Sequence, residues 1–310
     1  MKILLLGGTE LTLAVAKTLV KIHLKPICGI YLSKSFSISY NKKPINNSRH
    51  ADLQSWYHDN NIPCQEYENE NTLKEIIQRH APDIALVVGW YHMISADVRN
   101  RLPLGCVGIH ASLLPKLRGG APLNWAIISE LKETGVSLFE LSDGVDNGRI
   151  YAQKSFSISS TDYIDHLIKK CNEATIDLIT DAFQKINSHH IEPVIQTGKP
   201  SYCLQRKPED SQLNWSQNTK TIKSLIRASS HPYSGAFSYL ENQKITIWKY
   251  YDNSVDVDIL GSEGQILYLK DFEYPIVKTG DGTIFIEQAT FSDGENALPY
   301  LKKCSHKRFT

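Results

Sequence analysis

Apolar residues in the N-terminal half of the chain follow two periods in turn. "KILLL" (Lys2–Leu6), "ICGIYLS" (27–33), "DIALVVGWY" (Asp83–Tyr91) and "CVGIH" (Cys106–His110) are short runs with no polar face, the pattern of strands covered on both sides. Between them the period lengthens. Leu11, Val15, Leu19 and Ile22 keep helical spacing after Thr9, and Leu73, Ile76 and Ile77 share one helical face between Asn71 and His80. Ser48 is expected to cap a helix through Trp56, with Asp52 and Gln54 near its start, and Ser95 to cap a shorter one. Gly7-Gly8 opens no G-x-G-x-x-G, so it reads as a tight strand-to-helix turn.

The longest helical stretch, Thr161 to Ile186, carries a stripe of Ile164, Leu167, Ile168, Cys171, Ala174, Leu178, Ile179 and Ala182. It ends in "NSHHIEPVIQTGKPSY", rich in Pro, Gly and polar residues. Short strands and turns follow: "GAFSYL" and "KITIWKY" around a tight "ENQ" turn, then "QILYLK", "YPIVKT" and "TIFIEQATF". Strands alternating with helices predict an α/β fold, an open and mostly parallel Rossmann-like sheet flanked by helices. A small β-rich, OB-like C-terminal domain should follow it. The expected boundaries are 1–188 for the first domain, 189–201 for a linker and 202–310 for the second.

Composition narrows the function classes. A formal charge of +1 gives no concentrated basic field of the kind phosphate backbones need, which argues against nucleic acid as a partner. The six cysteines are scattered with no Cys-x-x-Cys pair, and the 11 histidines include no His-Glu-x-x-His, so reduced thiols and no metal are expected. "MKILLLGG" resembles a leader, but Glu10 and Lys17 interrupt it and no small-residue cleavage site follows. No run reaches the ~20 apolar residues that span a bilayer. The expectation is a cytoplasmic protein with no membrane contact. Apolar faces on the second domain suit a homodimer and suit packing on the first domain equally.

Ligands of open α/β sheets bind outside the carboxyl ends of the strands. Three segments should converge there: "GWYHMIS" (Gly89–Ser95), "HASLLPKLRGGAP" (His110–Pro122) and "LSDGVDNG" (Leu141–Gly148). They bring together a histidine, an arginine, Asp143 and Asp146. A histidine held by a carboxylate is an acid/base arrangement, although spacing alone does not separate it from a structural pair.

"HASLLPKLRGGAPLNWAI" followed by "ETGVSLFELSDGVDNGRI" resembles the signature of formyltransferases that use N10-formyltetrahydrofolate. That family's pattern runs Asn-x-His-x-Ser-Leu-Leu-Pro, then Arg-Gly, then Asp-x-Gly-x-Asp-x-Gly. "RKPEDSQLNW", "IRASSHPYSGAFSYL" and "QKITIW" are similar to the C-terminal β domain of methionyl-tRNA formyltransferase, and more so to the formyltransferase half of the enzyme that modifies aminoarabinose for lipid A. The resemblance implies attack of an amine on the formyl carbon of the folate through a tetrahedral oxyanion. It assigns His110 to oxyanion stabilisation and proton shuttling, and Asp146 to orienting its imidazole. It assigns Tyr91, His92, Met93, Ile94, Ser112, Leu113, Leu114 and Pro115 to the pterin side of the co-substrate, with Asp143, Gly144 and Val145 closing that pocket. Arg118 is as suited to binding a substrate anion as to bracing its loop. Gly119 is expected to allow unusual backbone angles beside it. Arg206 and Tyr233 are candidates for the acceptor side, weighed against plain packing. Trp125 reads as core.

The acceptor is read from what is missing. The tRNA enzyme carries a basic Gly-Arg-Gly-type loop after its second strand, whereas "SKSFSISYNKKPINNSRHADL" has Lys34, Lys42, Lys43 and Arg49 without that motif. The expected acceptor is therefore a nucleotide-linked amino sugar used in surface glycans, with methionyl-tRNA as the alternative. Gly108 occupies the family's asparagine position, which normally donates to the oxyanion. The hydrolase domain of formyltetrahydrofolate dehydrogenase also lacks that asparagine, so a hydrolase and a dead folate-binding module rank below both transferases.

Overall fold

The computed structural model describes residues 1–37, 44–47, 49–187, 192–252 and 259–310. The first elements are β1 (Ile3–Gly7), α1 (Glu10–Lys21), β2 (Cys28–Tyr31), β3 (Ser35–Phe36), β4 (Ile45–Asn46), α2 (Leu53–Asp59), β5 (Cys64–Glu66) and α3 (Glu70–His80). Next come β6 (Ile84–Val88), α4 (Ala96–Arg99), β7 (Cys106–His110), β8 (Arg118–Gly119), α5 (Pro122–Ile128), β9 (Glu133–Glu140), β10 (Ile150–Ser157), α6 (Ile164–Asn187) and β11 (Tyr202–Cys203). The last are α7 (Thr219–Ser229), β12 (Ala236–Leu240), β13 (Gln243–Tyr251), β14 (Ile266–Leu267), β15 (Ile276–Lys278), β16 (Thr283–Thr290) and α8 (Leu298–Leu301).

Two compact units are present. The first comprises 1–122, 133–157 and 169–203, and the second 123–132, 158–168 and 204–310. The first is built on a seven-stranded sheet in the order β10-β9-β7-β6-β1-β2-β5. Strands β7, β6, β1, β2 and β5 run parallel, β9 pairs antiparallel with β7, and β10 pairs antiparallel with β9. Every residue of β1 and β6 is buried, as apolar runs without a polar face require. Thr9 caps α1 in a capping box with Thr12, whose hydroxyl also donates to the Val88 carbonyl at 2.6 Å. α2 starts later than expected. Asp52, not Ser48, caps it by accepting from the Ser55 N–H, and the helix extends to Asp59. Ser48, like Lys42 and Lys43, lies outside the described residues.

The third segment expected at the carboxyl ends of the strands leaves from the other end. β9 pairs with β7 in the antiparallel register Val107↔Glu140 and His110↔Ser137, so the loop after β9 departs beside Cys106, at the amino end of β7. It then folds back over the strand. Leu141 packs over Gly108, its Cδ2 lying 3.3 Å from where a Cβ at 108 would be.

The second unit holds the five-stranded antiparallel sheet β12-β13-β16-β15-β14. The turn between β12 and β13 is two residues, Glu241-Asn242, both at positive φ (49° and 67°), the geometry that matches strand twist in a hairpin. The chain's last residues link the outer strands. Thr310 exchanges both backbone hydrogen bonds with Tyr239 beside β12, and Lys307 and Phe309 bond to Ile266 and Gly264 beside β14. The result is a partly closed barrel over a core that includes Trp215, Ile222, Ile226, Ile247 and Ile286.

Candidate active site

His110 ends β7, and its side chain is nearly buried. Nε2 lies 2.7 Å from the Leu117 carbonyl oxygen, which can only accept, so the network places a proton on Nε2. Nδ1 faces Asp146 Oδ2 at 3.5 Å. That carboxylate oxygen also accepts the Gly119 N–H at 2.7 Å. Histidine and carboxylate are thus held against a common backbone segment, residues 117–119. Leu117 (φ 55°), Gly119 (φ 102°), Ala121 (φ 54°) and Asp146 (φ 45°) all have positive φ. Non-glycine residues in that region cost on the order of 1–3 kcal/mol and collect at sites where surrounding contacts over-determine the backbone. At Gly119 a Cβ would collide with the Cys203 carbonyl oxygen, so the residue is restricted twice over.

The loop 112–116 is pinned from below. Ser137 Oγ, fully buried, donates to the Ser112 carbonyl at 2.7 Å and accepts the Leu114 N–H at 3.1 Å and Gln153 Nε2 at 2.7 Å. Gln153 also reaches the Leu114 carbonyl, at 3.0 Å. Ser112 Oγ donates to the Lys116 carbonyl at 2.6 Å, so its hydroxyl is engaged within the loop. Ser112 and Leu114 are interior, while Leu113 and Pro115 are half-buried.

The loop after β6 packs as an aromatic cluster. Tyr91 lies against Phe36 at 5.1 Å, and His92 is 4.5 Å from Tyr67 and 5.6 Å from Trp90 between ring centroids. Trp90 Nε1 and His92 Nε2 are buried with no hydrogen-bond partner among the described residues. Burial holds the His92 imidazole below its ordinary value of 6.5. Met93 is exposed, and Ile94 is buried with its carbonyl accepting from Arg99 Nη1 at 2.5 Å. The other Arg99 nitrogen, Nη2, pairs with Asp143, so one guanidinium joins the 91–94 and 143–145 loops. Val145 is exposed beyond it. Ser142, at the first aspartate position of the family's last motif, donates to Asn147 Oδ1 at 2.5 Å.

Arg118 makes the contacts of a brace. Its Nε and Nη2 meet Gln196 Oε1 at 3.1 and 2.6 Å, and Nη1 meets the Tyr202 hydroxyl at 3.1 Å. Residues 192–201, read from sequence as linker, belong to the first unit here, and β11 pairs in parallel with β8. Arg206 and Tyr233 belong to the second unit. Arg206 bonds to the Asp210 carbonyl and Ser211 Oγ, both at 3.1 Å, and lies over the half-buried Trp125 ring at 5.5 Å. Burial pulls that guanidinium below its ordinary range. Tyr233 is 38% exposed, enough to leave a face open to solvent.

Sequence reasoning did not find Ser137, Gln153, Arg99 or Gln196. Ser137 and Gln153 had a faint signal, as polar residues in otherwise β-forming runs. Arg99 and Gln196 had none, since their partners lie far away along the chain. Among the described residues, no group of three or more His, Cys, Asp or Glu gathers as metal ligands would, and no helix is long and apolar enough to cross a membrane.

Comparison with known proteins bears on the family and the fold. Residues 38–183 match the formyl transferase model and 206–299 the formyl transferase C-terminal domain model. The chain is 33% identical over 188 residues to the methionyl-tRNA formyltransferase of Thermodesulfovibrio yellowstonii, covering 60% of each chain. It is 37% identical over 191 residues to the bifunctional polymyxin resistance protein ArnA of Wigglesworthia glossinidia brevipalpis, covering 61% of this chain and 29% of that one. The matches therefore span less than two thirds of these relatives' lengths. Among solved structures, an N-formyltransferase from Helicobacter canadensis in complex with folinic acid and dTDP-3-aminofucose superposes with a TM-score of 0.68 at 19% identity, over 94% of this chain and 100% of that one.

Proposed function

The chain belongs to the formyltransferase family, matched over both its N-terminal and C-terminal domains, and from that premise we propose that it transfers a formyl group from N10-formyltetrahydrofolate to the amine of a nucleotide-linked amino sugar. The His110–Asp146 pair carries this reading, at 3.5 Å within a strained and over-determined backbone. Because Nε2 donates to Leu117, the lone pair open to a proton is on Nδ1. A proton taken from the attacking amine there stands against the Asp146 carboxylate, which stabilises the charged ring, and would pass to the folate nitrogen as its bond to the formyl carbon breaks. The Gly119 N–H anchors that carboxylate, so ring and carboxylate keep their relation.

The bound donor would supply a formyl carbon attached to a nitrogen leaving group. Trp90 Nε1 and His92 Nε2, buried without partners among the described residues, suit a polar heteroaromatic ring such as the pterin. Loops 91–94, 112–115 and 143–145 are proposed to hold it. Gly108 offers no amide to charge developing on the formyl oxygen, and Leu141 lies against the space such a side chain would enter. Loss of one such donor costs on the order of 10²–10³ in rate. A bound amine, already positioned, tolerates that loss better than water does, which favours transfer over hydrolysis.

The near-neutral charge and the missing basic Gly-Arg-Gly-type loop support the amino sugar. The 33% identity to a methionyl-tRNA formyltransferase supports tRNA as the second reading. We further propose a cytoplasmic setting, in keeping with six free cysteines, and a catalytic domain over 1–188, with the 192–203 segment packed in the same unit as its sheet. Incubation with N10-formyltetrahydrofolate and a panel of amino-sugar nucleotides, beside methionyl-tRNA and buffer alone, tests the reading. Formylation of a sugar amine is expected. Formylation of tRNA alone would replace the acceptor, and formate release at the same rate with every acceptor would overturn transfer.

A further inference from the structure

The segment between α6 and β11 contains one side chain whose every hydrogen-bonding position is filled by the catalytic loops. Gln196 Nε2 donates to the carbonyls of Asp146 and Gly148, both at 2.8 Å. Gln196 Oε1 accepts from Arg118 Nε and Nη2 at 3.1 and 2.6 Å. An amide has two N–H donors and one oxygen with two lone pairs, and here all four are engaged. The segment carrying it is itself anchored on both sides. Val194 and Ile150 exchange backbone hydrogen bonds at 2.7 and 2.8 Å, and Ser201 holds the next loop through Leu117 N to Ser201 Oγ and Arg118 N to Ser201 O, both at 2.9 Å.

These contacts close a ring around the candidate pair. On the inside, His110 reaches the Leu117 carbonyl and Asp146 reaches the Gly119 N–H. On the outside, Gln196 joins Arg118, which lies between those two residues, to the backbone of Asp146 itself. Leu117 and Asp146 hold positive φ without being glycine, a conformation that persists only when external contacts enforce it. Without Gln196 the 146–148 turn keeps its link to Gly119 but loses its tie to the Arg118 side chain, and the Asp146 carbonyl loses its side-chain donor.

Resting on the formyl-transfer reading of the pair, we propose that Gln196 is a positioning residue that sets the orientation of Asp146 toward His110. Two variants separate its halves. Gln196→Met removes donors and acceptor at similar length. Gln196→Glu keeps the acceptor for Arg118 and turns a carboxylate oxygen toward two carbonyls. The Gly119 amide, bonded to Asp146 Oδ2, should exchange with solvent on the order of tenfold faster in both variants, while amides of β7 and β9 keep wild-type protection. The imidazole ¹⁵N shifts of His110 should move with it. In turnover, kcat should fall by about 10–100-fold with KM for both substrates within about twofold, because a small misplacement of a reacting group acts on the chemical step.

Unchanged Gly119 exchange and His110 shifts in both variants would overturn the proposal, as would equal loss of protection across β7 and β9, which marks general loosening. Gln196→Glu preserves side-chain size, so it carries the comparison alone if Gln196→Met does not fold. Exchange and ring-nitrogen shifts need no substrate and judge the positioning role even if formyl transfer fails. Full turnover in Asp146→Asn would instead sink the reading of the pair and leave the exchange result standing.

Discussion

His110 and Asp146 meet at 3.5 Å, long for a hydrogen bond and common in sites that tighten only around substrate. His110→Ala and Asp146→Asn are each expected to abolish formyl transfer in a protein that still folds: Asp146→Asn keeps an oxygen for the Gly119 N–H, whereas His110→Ala takes the ring donor from the Leu117 carbonyl and should cost about 1–3 kcal/mol. Retained turnover in both would remove the pair from the mechanism. Gly108→Asn places a Cβ 3.3 Å from Leu141 Cδ2, so the leucine must give way by a few tenths of an ångström. A cost of about 1 kcal/mol in denaturant unfolding is expected, with transfer retained. A wild type inert until the asparagine is installed would mark a dead site. His92 gives a pH signature. Its folded-state value lies below the ordinary 6.5, so as pH falls through 6.5 the unfolded chain takes up the proton first and stability declines. Chemical denaturation between pH 7 and about 5 should show that decline, and His92→Phe should flatten it.

At the scale of elements, the candidate site depends on how loops are tied to strands. Ser137 faces His110 across the β7–β9 pairing and supplies three hydrogen bonds to the 112–116 loop and its neighbour Gln153. Ser137→Ala leaves the Leu114 N–H and the Ser112 carbonyl without that partner in a buried place. Each such group costs about 1–3 kcal/mol, so a loss of roughly 2–6 kcal/mol is expected in equilibrium unfolding. KM for the folate should rise as the loop loosens. A stability and KM equal to wild type would show that the loop holds its shape without the serine. Arg99 does for the outer loops what Ser137 does for the inner one, tying the Ile94 carbonyl to Asp143.

For the whole molecule, charge is the deciding quantity. With 34 basic and 33 acidic side chains, the protein has little electrostatic reach toward a polyanion, and phosphate contacts dominate nucleic-acid affinity. In a gel-shift titration at about 150 mM salt, retention of methionyl-tRNA is expected only at protein concentrations of roughly 1–100 μM, the non-specific range. Sub-micromolar retention would move the acceptor assignment to tRNA.

The sequence by itself determined the fold class, the two-part organisation and the motifs of the family, because these are written in local periodicity and in contiguous residues. "DIALVVGWY" has no polar face and so could only be an interior strand, and His110 stands in a run whose pattern is complete without reference to anything distant. What lay beyond it was direction and partnership. That β9 runs antiparallel, so the Asp146 loop must fold back over Gly108, depends on pairing between segments, not on either segment's composition. The start of α2 lies at Asp52, whose side chain accepts from the Ser55 N–H. The contacts of Arg118 with Gln196, and Gln196 itself in a stretch that reads as linker, were out of reach because hydrogen bonds across long sequence separations leave no period in the chain. Only tertiary structure brings those groups within about 3 Å, the distance at which a hydrogen bond forms.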